Sequence, residues 1–126
     1  MCTVVEARPR KSSLRVCSKV WIERDGEIVM SEYRARLLAA VTREGSVAAA
    51  ADSLGLPIRT AWKKLREIEA AAGTALVESG SGGPTGGQSH LTAAAEEMLI
   101  AFRRIAGPVD DDVQERFVDE QEHFRR

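Results

Sequence analysis

Residues 46–73 read SVAAAADSLGLPIRTAWKKLREIEAAAG. Ser46 stands where a hydroxyl caps a helix, and Val47, Ala50, Ala51 and Leu54 then fall on one helical side. Those small side chains let a crossing helix approach closely. Gly55 supplies a tight turn, and Pro57 fits the first turn of a following helix, where its missing N–H does no harm. In that second helix Ala61, Leu65, Ile68 and Ala72 form an apolar stripe. Arg59, Lys63 and Arg66 form a separate basic stripe at three- and four-residue spacing. Gly73 closes the helix. Two helices of this size around a short glycine turn have the dimensions of a helix-turn-helix.

Toward the N-terminus, Leu37, Leu38 and Val41 recur at helical spacing behind a Ser31 cap with Glu32 in the first turn, and Gly45 ends that helix. Upstream, residues 14–23 (LRVCSKVWIE) are rich in strand formers, Asp25-Gly26 signals a turn, and residues 27–30 can return as a strand. A hairpin over residues 15–30 is expected. Residues 1–13 read as a flexible basic arm.

Toward the C-terminus, residues 74–79 (TALVES) suit a strand, and residues 80–89 hold five glycines. Such a run forms neither a good helix nor a central strand. It suits the tip of a wing or a phosphate cradle, although no Lys-Ser/Thr follows as in a P-loop. Leu91 ends a returning strand, Thr92 caps a long helix carrying Leu99 and Phe102, and Gly107-Pro108 is expected to break it near Ala106. Residues 107–126 are then an acidic C-terminal helix, using Val113, Phe117 and Phe124, or a weakly ordered tail.

Charge and composition set the bounds. The chain has 126 residues, 44% of them hydrophobic and a net charge of −1, which suits one compact domain with short tails. The charge is uneven: from Val109 onward there are seven acidic residues against three Arg, leaving 15 basic and 12 acidic over residues 1–108. A small surplus serves a polyanion when it is gathered on one face. Cys2 and Cys17 lack metal-site spacing and need not pair. No stretch reads as a membrane span or a signal peptide, so a cytoplasmic protein is expected.

WIERDG (21–26), SEYRARLLAAVTREGSVAAAADSLGL (31–56), IRTAWKKLREIE (58–69) and GGPTGGQSHLT (82–92) together resemble the N-terminal domain of ModE-type molybdate-responsive regulators. More broadly, they resemble the winged helix-turn-helix of LysR-type regulators. The resemblance covers roughly residues 14–106. It implies a mainly α fold with small β elements, a winged helix-turn-helix, acting as a dimeric DNA-binding module. Helix 58–72 would enter the major groove, segment 80–89 would be the wing, and helices 32–44 and 93–106 would offer dimer contacts. Where the family commonly has Ser near the start of the recognition helix, this chain has Pro57. Family members continue into molybdate-binding domains. Here only the acidic 109–126 segment follows, so no ligand domain and no molybdate sensing are expected of this chain.

The candidate DNA-binding residues are therefore Arg59, Thr60, Lys63, Lys64 and Arg66. Arg59 and Lys63 lead, because arginine reads guanine bidentately and either side chain neutralises phosphate. Thr60 suits a phosphate or a thymine methyl, and Lys64 and Arg66 suit the backbone or plain solvent. Gly82, Gly83, Gly86 and Gly87 are assigned to the wing. Trp62, Trp21 and Tyr33 read as packing groups. His90 and His123 have no ligand cluster around them, and Ser79, Ser81 and Ser89 have no base and orienting acid, so no metal, cofactor or catalytic site is expected. The expected partners are double-stranded DNA, a second copy of the chain and, at the acidic tail, another protein. A protein-interaction module on the same winged fold is the alternative.

Overall fold

A computed structural model describes residues 13–80 and 87–125. The basic arm up to residue 12, and Gly82, Gly83 and Gly86 of the expected wing tip, lie outside the described residues.

The elements follow in the order β1 (Trp21–Arg24), β2 (Glu27–Ser31), α1 (Glu32–Glu44), α2 (Val47–Ser53), α3 (Ile58–Ala72), β3 (Val77–Ser79), β4 (Ser89–Leu91) and α4 (Ala93–Glu120). A 3-10 turn, Gln121–Phe124, ends the chain. β1 and β2 form one antiparallel ribbon, and β3 and β4 form a second. This is a mainly α winged helix-turn-helix with small β elements.

Local chemistry explains most boundaries. Asp25 and Gly26 both have positive φ (53° and 84°). That is the left-handed pair a two-residue hairpin turn needs, and a short polar residue followed by glycine tolerates it best. Ser31, Ser46 and Thr92 each accept a bond from the backbone N–H three residues on, at 3.2, 3.0 and 3.2 Å. Gly45 and Gly73 end α1 and α3 in the left-handed conformation. Between α2 and α3 the Leu56 N–H donates to the Ala51 carbonyl (2.8 Å) and the Leu54 N–H to that of Ala50 (3.1 Å), which closes the turn around Gly55. Pro57 is the N-cap of α3 rather than its first helical residue. Ser46→Ala removes a cap from the seven-residue α2, and should cost about 1 kcal/mol in a denaturant titration.

The core lies where α1, α2, α3 and the first half of α4 meet. Leu37, Leu38 and Val41 of α1 pack with Leu65 and Ile68 of α3 and with Phe102 of α4, all fully buried. Ala50, Ala51 and Ala61 are equally buried, so α2 and α3 cross at close range through small side chains.

Three expectations need correction. The hairpin spans Trp21–Ser31 rather than residues 15–30, and residues 14–20 form no strand. The cause is Ser31. It pairs with Trp21 and at once caps α1, so no strand remains to pair with residue 20 or earlier. Residues 14–20 pass beside α4 instead: the Ser18 hydroxyl donates to Asp110 (2.7 Å), and the Gln114 amide donates to the Val16 carbonyl (2.9 Å).

Trp21 and Tyr33 are not core groups, being 45% and 38% exposed. Val20 and Ile22 take the inward side of the chain, which turns Trp21 outward. Lys19 lies over its ring and Lys64 over that of Tyr33.

The third correction concerns α4, which runs unbroken through Gly107-Pro108. Proline disfavours a helical residue before it mainly by clashing with that residue's Cβ and N–H. Gly107 has no Cβ, so the helix passes at the cost of the bond that Pro108 cannot donate to Arg104. Residues 109–120 are therefore a continuation of α4 and not a separate helix or a loose tail.

Candidate nucleic-acid interface

α3 carries the candidate surface. At about 100° per residue, Arg59, Lys63 and Arg66 fall within roughly 60° of one another, opposite the buried Ala61, Leu65 and Ile68. All three cations are exposed. Among the described residues, no hydrogen bond or ion pair engages Arg59 or Lys63. Their charge is thus available to an outside partner. The Arg66 guanidinium lies 5.4 Å from the ring centre of Trp62, which itself packs half-buried against the core. Thr60 is half-buried on the flank of this row.

Lys64 departs from the stripe. It is half-buried, and its Nζ sits 5.3 Å from the ring centre of Tyr33. Helical spacing puts it on the side facing the start of α1, so the structure brings together Arg59, Lys63 and Arg66 but not Lys64.

The start of α3 adds a second feature. Pro57 contributes no side-chain cap, and the first N–H that donates within the helix is that of Ala61, to the Pro57 carbonyl. The N–H groups of Ile58, Arg59 and Thr60 therefore have no helical acceptor, and they point out of the positive end of the helix dipole. Such an end accepts anions. The basic row and the open helix end lie on the same first turns of α3, where a recognition helix meets base edges and phosphates. Glu67, exposed one turn further on, marks the C-terminal limit of the row.

The wing stands beside this helix. β3 and β4 pair Val77 with Leu91, Glu78 with His90 and Ser79 with Ser89. The Gly80 N–H donates to the Gln88 carbonyl at 2.7 Å. Gly87, the one assigned wing glycine that is described, has φ 42°. His90 contacts Glu78 across the ribbon at 3.1 Å. Among the described residues no cluster of His, Cys, Asp or Glu is arranged to hold a metal ion, and no helix is long and apolar enough to cross a membrane. In the acidic half of α4, Asp112 holds Arg116 above its ordinary pKa through a 2.8 Å side-chain hydrogen bond and its charge.

Sequence reasoning missed Glu69. Its Oε2 accepts the backbone N–H groups of Leu76 (2.9 Å) and Val77 (3.2 Å), tying α3 to the base of the wing. In the sequence it reads as one more solvated helix carboxylate, since nothing local points to donors seven and eight residues on. The open end of α3 was announced by Pro57, which has no capping side chain.

Residues 34–96, half of the chain, match the family described as bacterial regulatory helix-turn-helix protein, lysR family. The chain is 34% identical over 86 residues to the molybdenum-pterin-binding protein MopA of Rhodobacter capsulatus, covering 68% of this chain and 32% of that protein. It is 35% identical over 95 residues to MopB of the same organism, covering 75% and 35%. Against the molybdenum transport protein ModE of Azotobacter vinelandii the identity is 29% over 94 residues, covering 75% and 35%. The chain thus matches about a third of the length of each of these relatives.

Proposed function

Because this chain belongs to the lysR family of bacterial regulatory helix-turn-helix proteins, we propose that it binds double-stranded DNA in a sequence-specific way and regulates transcription in the cytoplasm. The observation that carries this reading is the exposed row of Arg59, Lys63 and Arg66 beside the uncapped start of α3. Arg59 reads a base edge, Lys63 and Arg66 hold phosphates, and the N–H groups of the first turn of α3 receive another phosphate. Thr60 supports the same turn from its flank. Lys64, held over Tyr33, contributes charge at longer range. A relative named transcriptional regulator ModE, from Yersinia pestis, is 29% identical over 73 residues, covering 58% of this chain and 28% of its own. We carry over from such relatives the DNA-binding role alone. The test is a fluorescence titration of the protein against a duplex selected from a random pool and against a scrambled duplex. Tighter binding to the selected duplex supports the reading. Equal, negligible binding to both, with the fold intact, would assign the domain to protein recognition instead.

The working unit is a homodimer. Along α4 the line of Ala95, Phe102 and Ala106 faces the chain's own core. The same line continues through Val109, Val113 and Phe117, which are exposed or half-buried beyond that core. A two-fold related copy covers this stripe with its own, as in other helix pairs, and sets two copies of α3 about 34 Å apart, one helical turn of DNA. Light scattering on a sizing column should give about twice the 13.7 kDa chain mass. The double variant Val113→Glu/Phe117→Glu should elute at the single mass with the fold retained. A wild-type monomer at micromolar concentration, with and without DNA, would refute the dimer.

A further inference from the structure

The wing is a ribbon of two strands, with no third strand beside it among the described residues. Nothing in sheet pairing therefore sets its angle to α3; that angle depends on how the ribbon's base is held. Leu76, fully buried, anchors the base in the core. On one side the Thr92 N–H donates to the Leu76 carbonyl and the Thr92 hydroxyl to that of Ala75, both at 2.9 Å, which joins the base to the start of α4. The Ser89 N–H donates to the Gly45 carbonyl at 3.0 Å, which joins β4 to the end of α1. On the side of α3, the side-chain hydrogen bonds to the ribbon among the described residues are the two that Glu69 accepts.

We propose that Glu69 is a positioning residue for DNA binding: its carboxylate, by accepting the Leu76 and Val77 N–H groups, fixes the wing to α3 so that both meet one duplex at once. The proposal rests on the reading of α3 and the wing as the DNA-binding surface. Glu69 itself lies off the Arg59–Lys63–Arg66 row and touches no DNA. A carboxylate accepting two backbone N–H groups makes a short, charge-assisted pair of bonds. Removing it leaves two donors at the ribbon's base without acceptors and lets the ribbon swing. The helix's own contacts to bases are unaffected, because the Arg59 side chain and the core under it do not move. What is lost is the fixed angle at which the wing meets the duplex held by α3.

The experiment uses the full chain as wild type, Glu69→Ala and Glu69→Gln, since glutamine keeps an acceptor oxygen at the same reach. Binding to a selected and a scrambled duplex is measured across a salt series. The slope of log affinity on log salt counts the phosphates neutralised by Lys and Arg, at about 0.9 each for duplex DNA; residues 77–91 hold no Lys or Arg, so the slope should stay near its wild-type value in both variants. Glu69→Ala should bind both duplexes about tenfold more weakly than Glu69→Gln, which loses the same charge, while the ratio of the two affinities, set by base contacts, stays within about twofold. Glu69→Gln should keep most of the wild-type affinity. Hydrogen exchange at the Leu76 and Val77 amides should quicken by about tenfold or more in Glu69→Ala and much less in Glu69→Gln. Equal affinity of Glu69→Ala and Glu69→Gln for the selected duplex would overturn the proposal, and so would equal damage from both substitutions with discrimination lost, the mark of a merely structural carboxylate. If wild type binds no duplex, the functional reading fails; the exchange arm then judges Glu69 alone, and unchanged exchange at Leu76 and Val77 would overturn the tie as well.

Discussion

Arg59→Ala is expected to erase most of the protein's preference for its selected duplex, at a cost of about 1–3 kcal/mol in discrimination. Arg59 is the second residue of α3, exposed, and without a partner among the described residues. It would enter a groove without first breaking a bond, and its planar fork matches two acceptors on a guanine edge. Lys63, one turn on, is a point charge suited to phosphate. Lys63→Ala should therefore weaken selected and scrambled duplexes alike and reduce the salt slope by about 1. Helical content should stay nearly unchanged in both variants, because neither side chain belongs to the core. Titration of each variant against both duplexes at two or more salt concentrations separates the two effects. Unchanged affinity for both duplexes in both variants would place the recognition surface elsewhere.

Phe102→Ala should cost about 3–5 kcal/mol of stability, the range for emptying a large aromatic site in a packed core. Phe102 is only 1% exposed and the largest fully buried side chain among the described residues. It is also the main anchor of α4 on α1. Natural domains have about 5–15 kcal/mol in all, so this one truncation removes a large share. A melting curve should move down by more than about 10 °C for a domain of this size. The damage reaches function indirectly, because α4 carries both the Thr92 cap at the wing's base and the stripe assigned to the dimer. A loss below about 1 kcal/mol would mean that the site collapses without penalty and that α4 is not anchored as described.

Features set by short-range chemistry were legible in the sequence. Ser31, Ser46 and Thr92 cap the helices they precede, and Gly45 and Gly73 end the helices they follow. The apolar stripe of α3 and its opposing basic row follow from helical spacing alone. What escaped depended on partners far along the chain. Strand propensity in residues 14–20 was real, but Ser31 had already been committed to capping α1, so a strand there had nothing to pair with. Lys64 has the same chemistry as Lys63, yet one position around the helix turns it toward Tyr33, and only the packing of α1 on α3 puts that ring within reach. Trp21 was read by residue type as a packing group, when its side of the hairpin faces solvent. Glu69 was invisible for the same reason: its acceptors' donors come into range only after Gly73 has turned the chain back.

Pro108 divides α4 into unequal cooperative units. Its 28 residues span about 42 Å at 1.5 Å each, and the hydrogen-bond ladder lacks one rung where Pro108 would donate to Arg104. Before that rung the helix is clamped by Ala95 and Phe102 in the core. After it, Gln114 donates to the Val16 carbonyl and Asp110 accepts from the Ser18 hydroxyl. The second half, lying beyond the core and the missing rung, is therefore expected to open at a lower local free energy than the first. In the proposed dimer a second copy laid along Val109, Val113 and Phe117 would slow that opening. Assembly would thus act on the helix as a brake on its motion, felt beyond residue 108 and hardly at all in α3.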